Sequence, residues 1–499
     1  MSKDRQLAFS SKIAFGVGQM AEGLKNTAFG LLVLFFYNQV LGLSGTLCGL
    51  ALFIALLFDA ITDPLAGSIS DNWKSRLGRR HPFMYAAAPP LALAFFGLFS
   101  PPAGLSELQL FGWLIAFAIL TRGAMTLYHV PHLALGAELT ENFAERTSIV
   151  AYRQAFGYVG GMLASGLAFG YFFADANGGR LNLDGYSPYA VVLGGLMVVT
   201  IWYSAWGTRR EIPHLPGPST SPQTSVLGRL FSETASAFQN LSFRWLFLGV
   251  LIVFMMVGVD GALNLYMYQY FWELNGQQIL LLALISPIGL ILGSPFTRYL
   301  HLRWDKKAGL VFGTAGWAIC QITPVGLRLL ELLPENGTGS LITTLAVFRF
   351  FQGLIVQQAL VSFGSMMADV VDEHELASGR RQEGIFFGAV AFSGKAASGL
   401  GTFVAGIGLD VISWPRGSDI KTAADVAPET IANLGILFGP VVAGFAVVSV
   451  WCYTRYRLTR GKHEEILGAL RERRAAASSA STDSGLGGLA PEGDPAAGS

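Results

Sequence analysis

Twelve apolar stretches, centred near residues 30, 55, 92, 118, 160, 197, 255, 287, 318, 350, 398 and 442, constrain this chain more than any other feature. Each runs for roughly 18 residues or more, the length a helix needs to cross the hydrocarbon core of a bilayer. In lipid every backbone polar group must be satisfied internally, so only helices and closed barrels can span it. No strand-like alternation recurs at barrel spacing, and an all-α membrane protein is expected. Composition agrees: 52% of residues are hydrophobic, 13% are charged, and the mean hydropathy is +0.47. A soluble domain carries about 25% charged residues.

The net charge is only +1, but its distribution along the chain orients it. Alternate loops are cationic, from Lys3, Arg5 and Lys12 through Lys74, Arg76, Arg79 and Arg80 to the cluster between Arg455 and Arg474. Of the 34 Lys and Arg residues, 25 fall on these loops and only Arg180, Arg328, Arg416 and Lys421 on the intervening ones. Positive charge stays on the cytoplasmic side, so both termini are expected there, in a multi-pass protein of the plasma (inner) membrane. The first stretch follows a short polar N-terminus directly, and no cleavable signal peptide is expected. Cys48, Cys320 and Cys452 lie in or beside apolar helices without metal-ligand spacing and read as buried thiols.

The segment 208–233, rich in Pro, Ser and Thr, interrupts the apolar pattern after the sixth stretch. It divides the chain into a six-helix half at 1–207, a cytoplasmic linker at 208–240 and a second half at 241–457. A cytoplasmic tail at 458–499 is low in complexity from about residue 475 and is expected to be largely disordered. Two six-helix halves form the major facilitator plan, with a substrate cavity between them near mid-membrane.

Five cations belong to no loop: Lys25, Arg122, Arg153, Arg349 and Lys395. Glu22, Asp59, Asp63 and Asp260 accompany them at membrane depth. A charge at a helix centre costs about 2.5–3.5 kcal/mol on insertion scales, so such residues face a cavity or a partner. Asp59 and Asp63 are four apart and share one helix face. Pro64 removes the N–H that would engage the Ala60 carbonyl, and Thr62 adds a hydroxyl nearby. Converging oxygens of this kind suit a hard cation or a proton. The alternative is a structural pair, protonated or bridged to Arg153.

Gln19, Glu22 and Asn26 form a polar stripe on the first span, and Asp260, Asn264 and Tyr268 form another on the seventh. Arg349 and Gln352 lie one turn apart on the tenth. Stripes on opposite halves suit a shared cavity, although a stripe can also pack against a partner helix.

The run "DAITDPLAGSISDNWKSRLGRRHPF" resembles the signature of the glycoside–pentoside–hexuronide cation symporters, the melibiose permease-like family of the major facilitator superfamily. "MADVVDEHELASGRRQEGIFFGAVAFSGK" resembles the segment joining spans ten and eleven in that family, and "VPHLALGAELT" and "AYRQAFG" also fit. The resemblance implies cotransport of a small solute with Na⁺, Li⁺ or H⁺. Asp59 and Asp63 then match the cation carboxylates and Thr126 a cation-site threonine. Arg153 matches an arginine near the sugar site, and Lys395 a lysine facing the cation site from the other half. The family's sugar-binding carboxylates fall at Gly23, beside Glu22, and at His129, and its ring-stacking tryptophan at Leu133. "YHVPHLAL" is similar to the corresponding stretch of lysophospholipid symporters, which admits an anionic or amphiphilic solute.

These observations predict a secondary transporter working by alternating access, with no enzymatic activity, no cofactor beyond the coupling ion, no nucleic-acid partner, and function as a monomer. Its substrate is expected to be a sugar, glycoside or uronide, with an anionic amphiphile as the alternative. The expected cation site is Asp59, Asp63, Thr126 and Thr62, with Na⁺ or H⁺ as the coupling ion and the carboxylates as Na⁺ ligands. The expected substrate site is Glu22, Asn26, His129, Arg153, Asp260 and Asn264. Lys395, Asp71, Arg79 and Arg80 are expected to couple and gate, the last three as an inner-face ion-pair network that breaks when the carrier opens inward. "GAVAFSGKAAS" lacks the spacing, the hydroxyl after the lysine and the preceding strand of a phosphate loop. His129 and His132 are too few for a metal centre.

Overall fold

The computed structural model describes residues 7–140, 142–215, 238–379, 383–417 and 419–486. The inner part of the linker with Arg229, the pair Arg380 and Arg381, and the end of the tail lie outside them. The described chain is helical: α1 (Phe9–Ala28), α2 (Gly45–Asn72), α3 (His81–Leu98), α4 (Glu107–Glu138), α5 (Phe143–Leu167) and α6 (Tyr186–Thr208) come before the linker. After it come α7 (Leu241–Tyr266), α8 (Gly276–Arg303), α9 (Lys306–Leu329), α10 (Gly339–Ser378), α11 (Glu383–Val411), α12 (Pro428–Thr454) and α13 (Arg460–Leu486). Wider π turns extend α1 to Val40, α5 to Phe172 and α7 to Phe271.

Each of the twelve apolar centres falls inside one of the first twelve helices. Among the described residues, ten helices are long and apolar enough to cross a membrane. Helices α1 and α3 are not among the ten. The first carries Lys12, Glu22 and Lys25, and the second is 18 residues long and contains Pro89 and Pro90. Large apolar side chains such as Leu93, Val199, Trp206, Ile291 and Val447 are exposed around the bundle, as a lipid-facing surface requires.

Local chemistry sets the helix ends. Ser44, Asn240, Asn275 and Thr338 each cap a helix by accepting a hydrogen bond from a backbone N–H in the first turn. Gly379 closes α10 with a φ of 73°, a left-handed turn that disfavours any side chain. Helix α13 runs to Leu486, beyond residue 475, and its first turns dock on α10 through His463–Asp372 (3.1 Å) and Arg474–Glu375 (2.7 Å).

The two halves meet unevenly. Hydrogen bonds between described residues of opposite halves cluster at the end remote from the termini. There Asp410 accepts from the N–H groups of Gly45 and Thr46 at 3.1 and 2.8 Å, Trp414 donates to Gln39 at 2.8 Å, and Tyr266 donates to Asn38 at 2.7 Å. Arg180 reaches Gln269 and the Leu274 carbonyl. Helices α2 and α11 touch so closely there that a Cβ on Gly406 would run into the Gly45 carbonyl oxygen. The cores follow suit. One apolar cluster joins the first half to the part of the second remote from the termini, whereas Phe243, Val250, Met367, Phe386, Tyr453 and Leu470 belong to a separate cluster near the terminal end. The halves are therefore locked together at one end and packed independently at the other.

Candidate functional site

Asp59 and Asp63 converge as their spacing predicts. Thr126 Oγ1, from α4, lies 2.6 Å from Asp59 Oδ1 and 2.9 Å from Asp63 Oδ1, so one hydroxyl proton serves two acceptors. Lys395 reaches across from α11, donating to Asp59 Oδ2 at 3.1 Å and to Asp63 Oδ2. Arg122 Nη1 also donates to Asp59 Oδ2, at 3.2 Å. Lys25 is buried beside them; its ammonium and the Arg122 guanidinium sit over the Phe29 ring, 5.9 and 5.0 Å from its centroid. Thr62 does not join the cluster, because its hydroxyl donates back to the Asp59 carbonyl at 3.3 Å within its own helix. Helix α2 continues through Pro64. Lys25 and Arg122 are the residues that spacing did not assign to this site. Their signal was present as unclaimed cations in apolar runs.

Glu22 and His129 form a second group, with Oε2 and Nε2 2.8 Å apart and Gln19 bridging to Glu22. His132 instead is a packed residue: it stacks on Phe15 at 4.3 Å and meets the Phe15 carbonyl at 2.9 Å. Arg153 interacts electrostatically with Glu22, and its Nε is buried with no hydrogen-bond partner among the described residues.

The second half contributes a relay of side chains. Gln321 donates to Asp260 at 2.6 Å, Gln352 to Gln321 at 2.7 Å, and Arg349 to Gln352 at 2.8 Å and to Asn264 at 3.0 Å. Such a relay fixes the Arg349 guanidinium, which also lies 5.7 Å from the Tyr268 ring centre.

Two cavities unite most of these groups, although Arg153 lines neither. One, of about 600 Å³, is lined by Asp59, Asp63, Thr126, His129, Arg122 and Lys395 with apolar walls from α1, α2, α4, α7 and α11. The other, of about 560 Å³, is lined by Gln154, Tyr158, Asp260, Asn264, Tyr268 and Arg349. Glu22, Asn26, Gly30 and Gly261 border both, so the α1–α7 contact separates two adjoining lobes.

The expected inner network is present but lies within the first half. Arg80 pairs with Asp71, Ser70 and Glu138, and Arg79 with Glu138 at 2.9 Å, tying the ends of α2 and α4 to the start of α3. It is intact in this structure, whose halves are joined at the opposite end. At the opposite end the halves are joined by polar contacts that include those of Asp410, Trp414, Tyr266 and Arg180, which spacing alone did not indicate.

The sequence profile of the MFS/sugar transport protein family matches residues 14–460. The putative glycoside/cation symporter YagG of Escherichia coli (strain K12) is 25% identical, over 96% of this chain and 98% of its own. The sodium-dependent lysophosphatidylcholine symporter 1 of Gallus gallus is 24% identical, over 96% of this chain and 92% of its own. Among solved structures, a partially occluded inward-open xylose transporter XylE from E. coli superposes with a TM-score of 0.56 at 14% identity, covering 91% of this chain and 98% of that one.

Proposed function

We propose, from the premise that this chain belongs to the MFS/sugar transport protein family, that it moves a small solute across the plasma membrane together with Na⁺ or H⁺ by alternating access. The observation that carries this reading is Lys395, from the second half, seated between Asp59 and Asp63 of the first. A charged contact at mid-depth that bridges the two moving bodies makes cation occupancy and half-to-half geometry depend on each other. The reading takes twelve spanning helices with both termini in the cytoplasm and a carrier that functions as a monomer. In that orientation the contacts of Asp410, Trp414 and Arg180 form a closed outer gate, and the cavities face inward. Replacing Gly406 by Val should part α2 and α11 there. In a variant whose only thiol comes from Gln39→Cys, a membrane-impermeant thiol reagent added outside should then react several-fold faster; an unchanged rate would exclude this seam as the closure.

The substrate is a glycoside or uronide, held between Glu22, Asn26 and His129 on one side and Asp260, Asn264 and Arg349 on the other, with Arg153 beyond Glu22. Guanidinium groups recognise carboxylate or phosphate in a two-pronged geometry. The second reading, an anionic amphiphile, is favoured by the apolar wall of the larger lobe, where Phe29, Leu52, Leu56, Phe254 and Val257 can receive an acyl chain. Thermal unfolding in the presence of melibiose, a glucuronide and a lysophospholipid separates these. Stabilisation by the anionic compounds that is lost in Arg153→Ala is expected. Preferential stabilisation by melibiose, unchanged in that variant, would reject an anionic substrate.

A further inference from the structure

The carboxylate pair is crowded with fixed positive charge. A hard metal ion is held by several converging oxygens that are free to face it. Here Asp59 Oδ1 and Asp63 Oδ1 both face Thr126, while Asp59 Oδ2 meets Arg122 and Lys395 together, and Asp63 Oδ2 meets Lys395. The two cations in contact are not equivalent. The Lys395 side chain is 36% exposed on a flexible stem and can withdraw into the cavity. Arg122 is 10% exposed, sits mid-way along α4, packs over Phe29, and carries a guanidinium that does not lose its proton. With Lys395 withdrawn, Arg122 still holds Asp59 Oδ2 and Lys25 is still buried alongside.

The other groups lining this lobe do not restore negative charge. Glu22 on α1 is engaged by His129 of α4, and the α7 wall is Phe254, Val257, Gly258, Gly261 and Ala262. We infer that Arg122 is a built-in cation that takes the place of a metal ion at Asp59, so that this carrier neither binds nor responds to Na⁺ or Li⁺. The inference rests on the reading that the Asp59–Asp63 pair is the coupling site. A proton needs no shell of ligands, and it remains as the coupling cation.

The test uses the purified full-length protein, with thermal unfolding in NaCl, LiCl and choline chloride at equal ionic strength and equilibrium binding of radiolabelled Na⁺. Wild type should melt at one temperature in all three salts and bind no Na⁺ specifically. Removing a unit charge ~4 Å from the ion relieves a repulsion worth about a thousandfold in affinity. Arg122→Ala should therefore acquire Na⁺-specific stabilisation and binding. Arg122→Gln, which keeps a hydrogen-bond donor, serves if the alanine variant does not fold. Specific Na⁺ binding by wild type overturns the inference, and so does a folded variant as unresponsive to Na⁺ as wild type. The symport reading itself fails on a different result: none of the three solutes named above accumulating in proteoliposomes under either a pH or a Na⁺ gradient.

Discussion

Asp63→Asn should reduce gradient-driven accumulation to passive equilibration while leaving a folded protein in the membrane. Asp63 is partly open, its side chain 27% exposed, and its ionic partner is Lys395, which has a second acceptor in Asp59. Loss of its charge removes one carboxylate of the pair that takes up the coupling cation, and Lys395 keeps Asp59 as its partner. Asp59→Asn should also abolish accumulation, but at a structural cost. Its side chain is 7% exposed and compensates both Arg122 and Lys395. Removing one partner of a buried ion pair costs about 3–5 kcal/mol, so this variant should also melt at a markedly lower temperature. Uptake with and without an imposed cation gradient, alongside thermal unfolding, checks both. Undiminished accumulation in folded Asp63→Asn would refute coupling through the pair.

Lys395→Ala should separate two activities that a single transport assay merges. The ammonium neutralises Asp59 and Asp63 when no coupling cation is bound, from the opposite half of the molecule. Without it Asp63 loses its ionic partner, while Asp59 keeps Arg122, and an unpaired carboxylate at mid-depth is costly in a membrane interior. Reorientation of the empty carrier should fail, and net accumulation with it. Exchange of solute across the membrane needs only the loaded carrier to reorient and should persist. Counterflow in proteoliposomes measures the second activity. Loss of both, with folding intact, would assign the lysine to the substrate instead.

The elements and the heart of the site were legible because their signals are local. Length and hydropathy place twelve helices, and the four-residue spacing of Asp59 and Asp63 fixes their shared face. Lys395 stood out as an unclaimed cation, but its place at the carboxylates came from the resemblance alone, since a contact between α2 and α11 leaves no trace in spacing. The same reason hid the roles of Arg122, which bonds Asp59 from α4, and of Lys25, which is buried nearby on α1. Thr62 failed for a local reason that periodicity ignores: a helical threonine can satisfy its hydroxyl on its own backbone. The inner network was legible in part: Arg80 pairs with Asp71 from the same run, whereas Glu138, the further partner of Arg79 and Arg80, lies outside it on α4.

Solute-triggered cation movement tests the central claim most directly. Proteoliposomes with no imposed gradient receive a glucuronide or lysophospholipid that stabilises the protein, while pH and Na⁺ electrodes follow the medium. The account predicts that cation leaves the medium with the solute in wild type and that this flux disappears in Asp63→Asn. Solute entry without any cation movement in wild type, or an equal flux in Asp63→Asn, would contradict it.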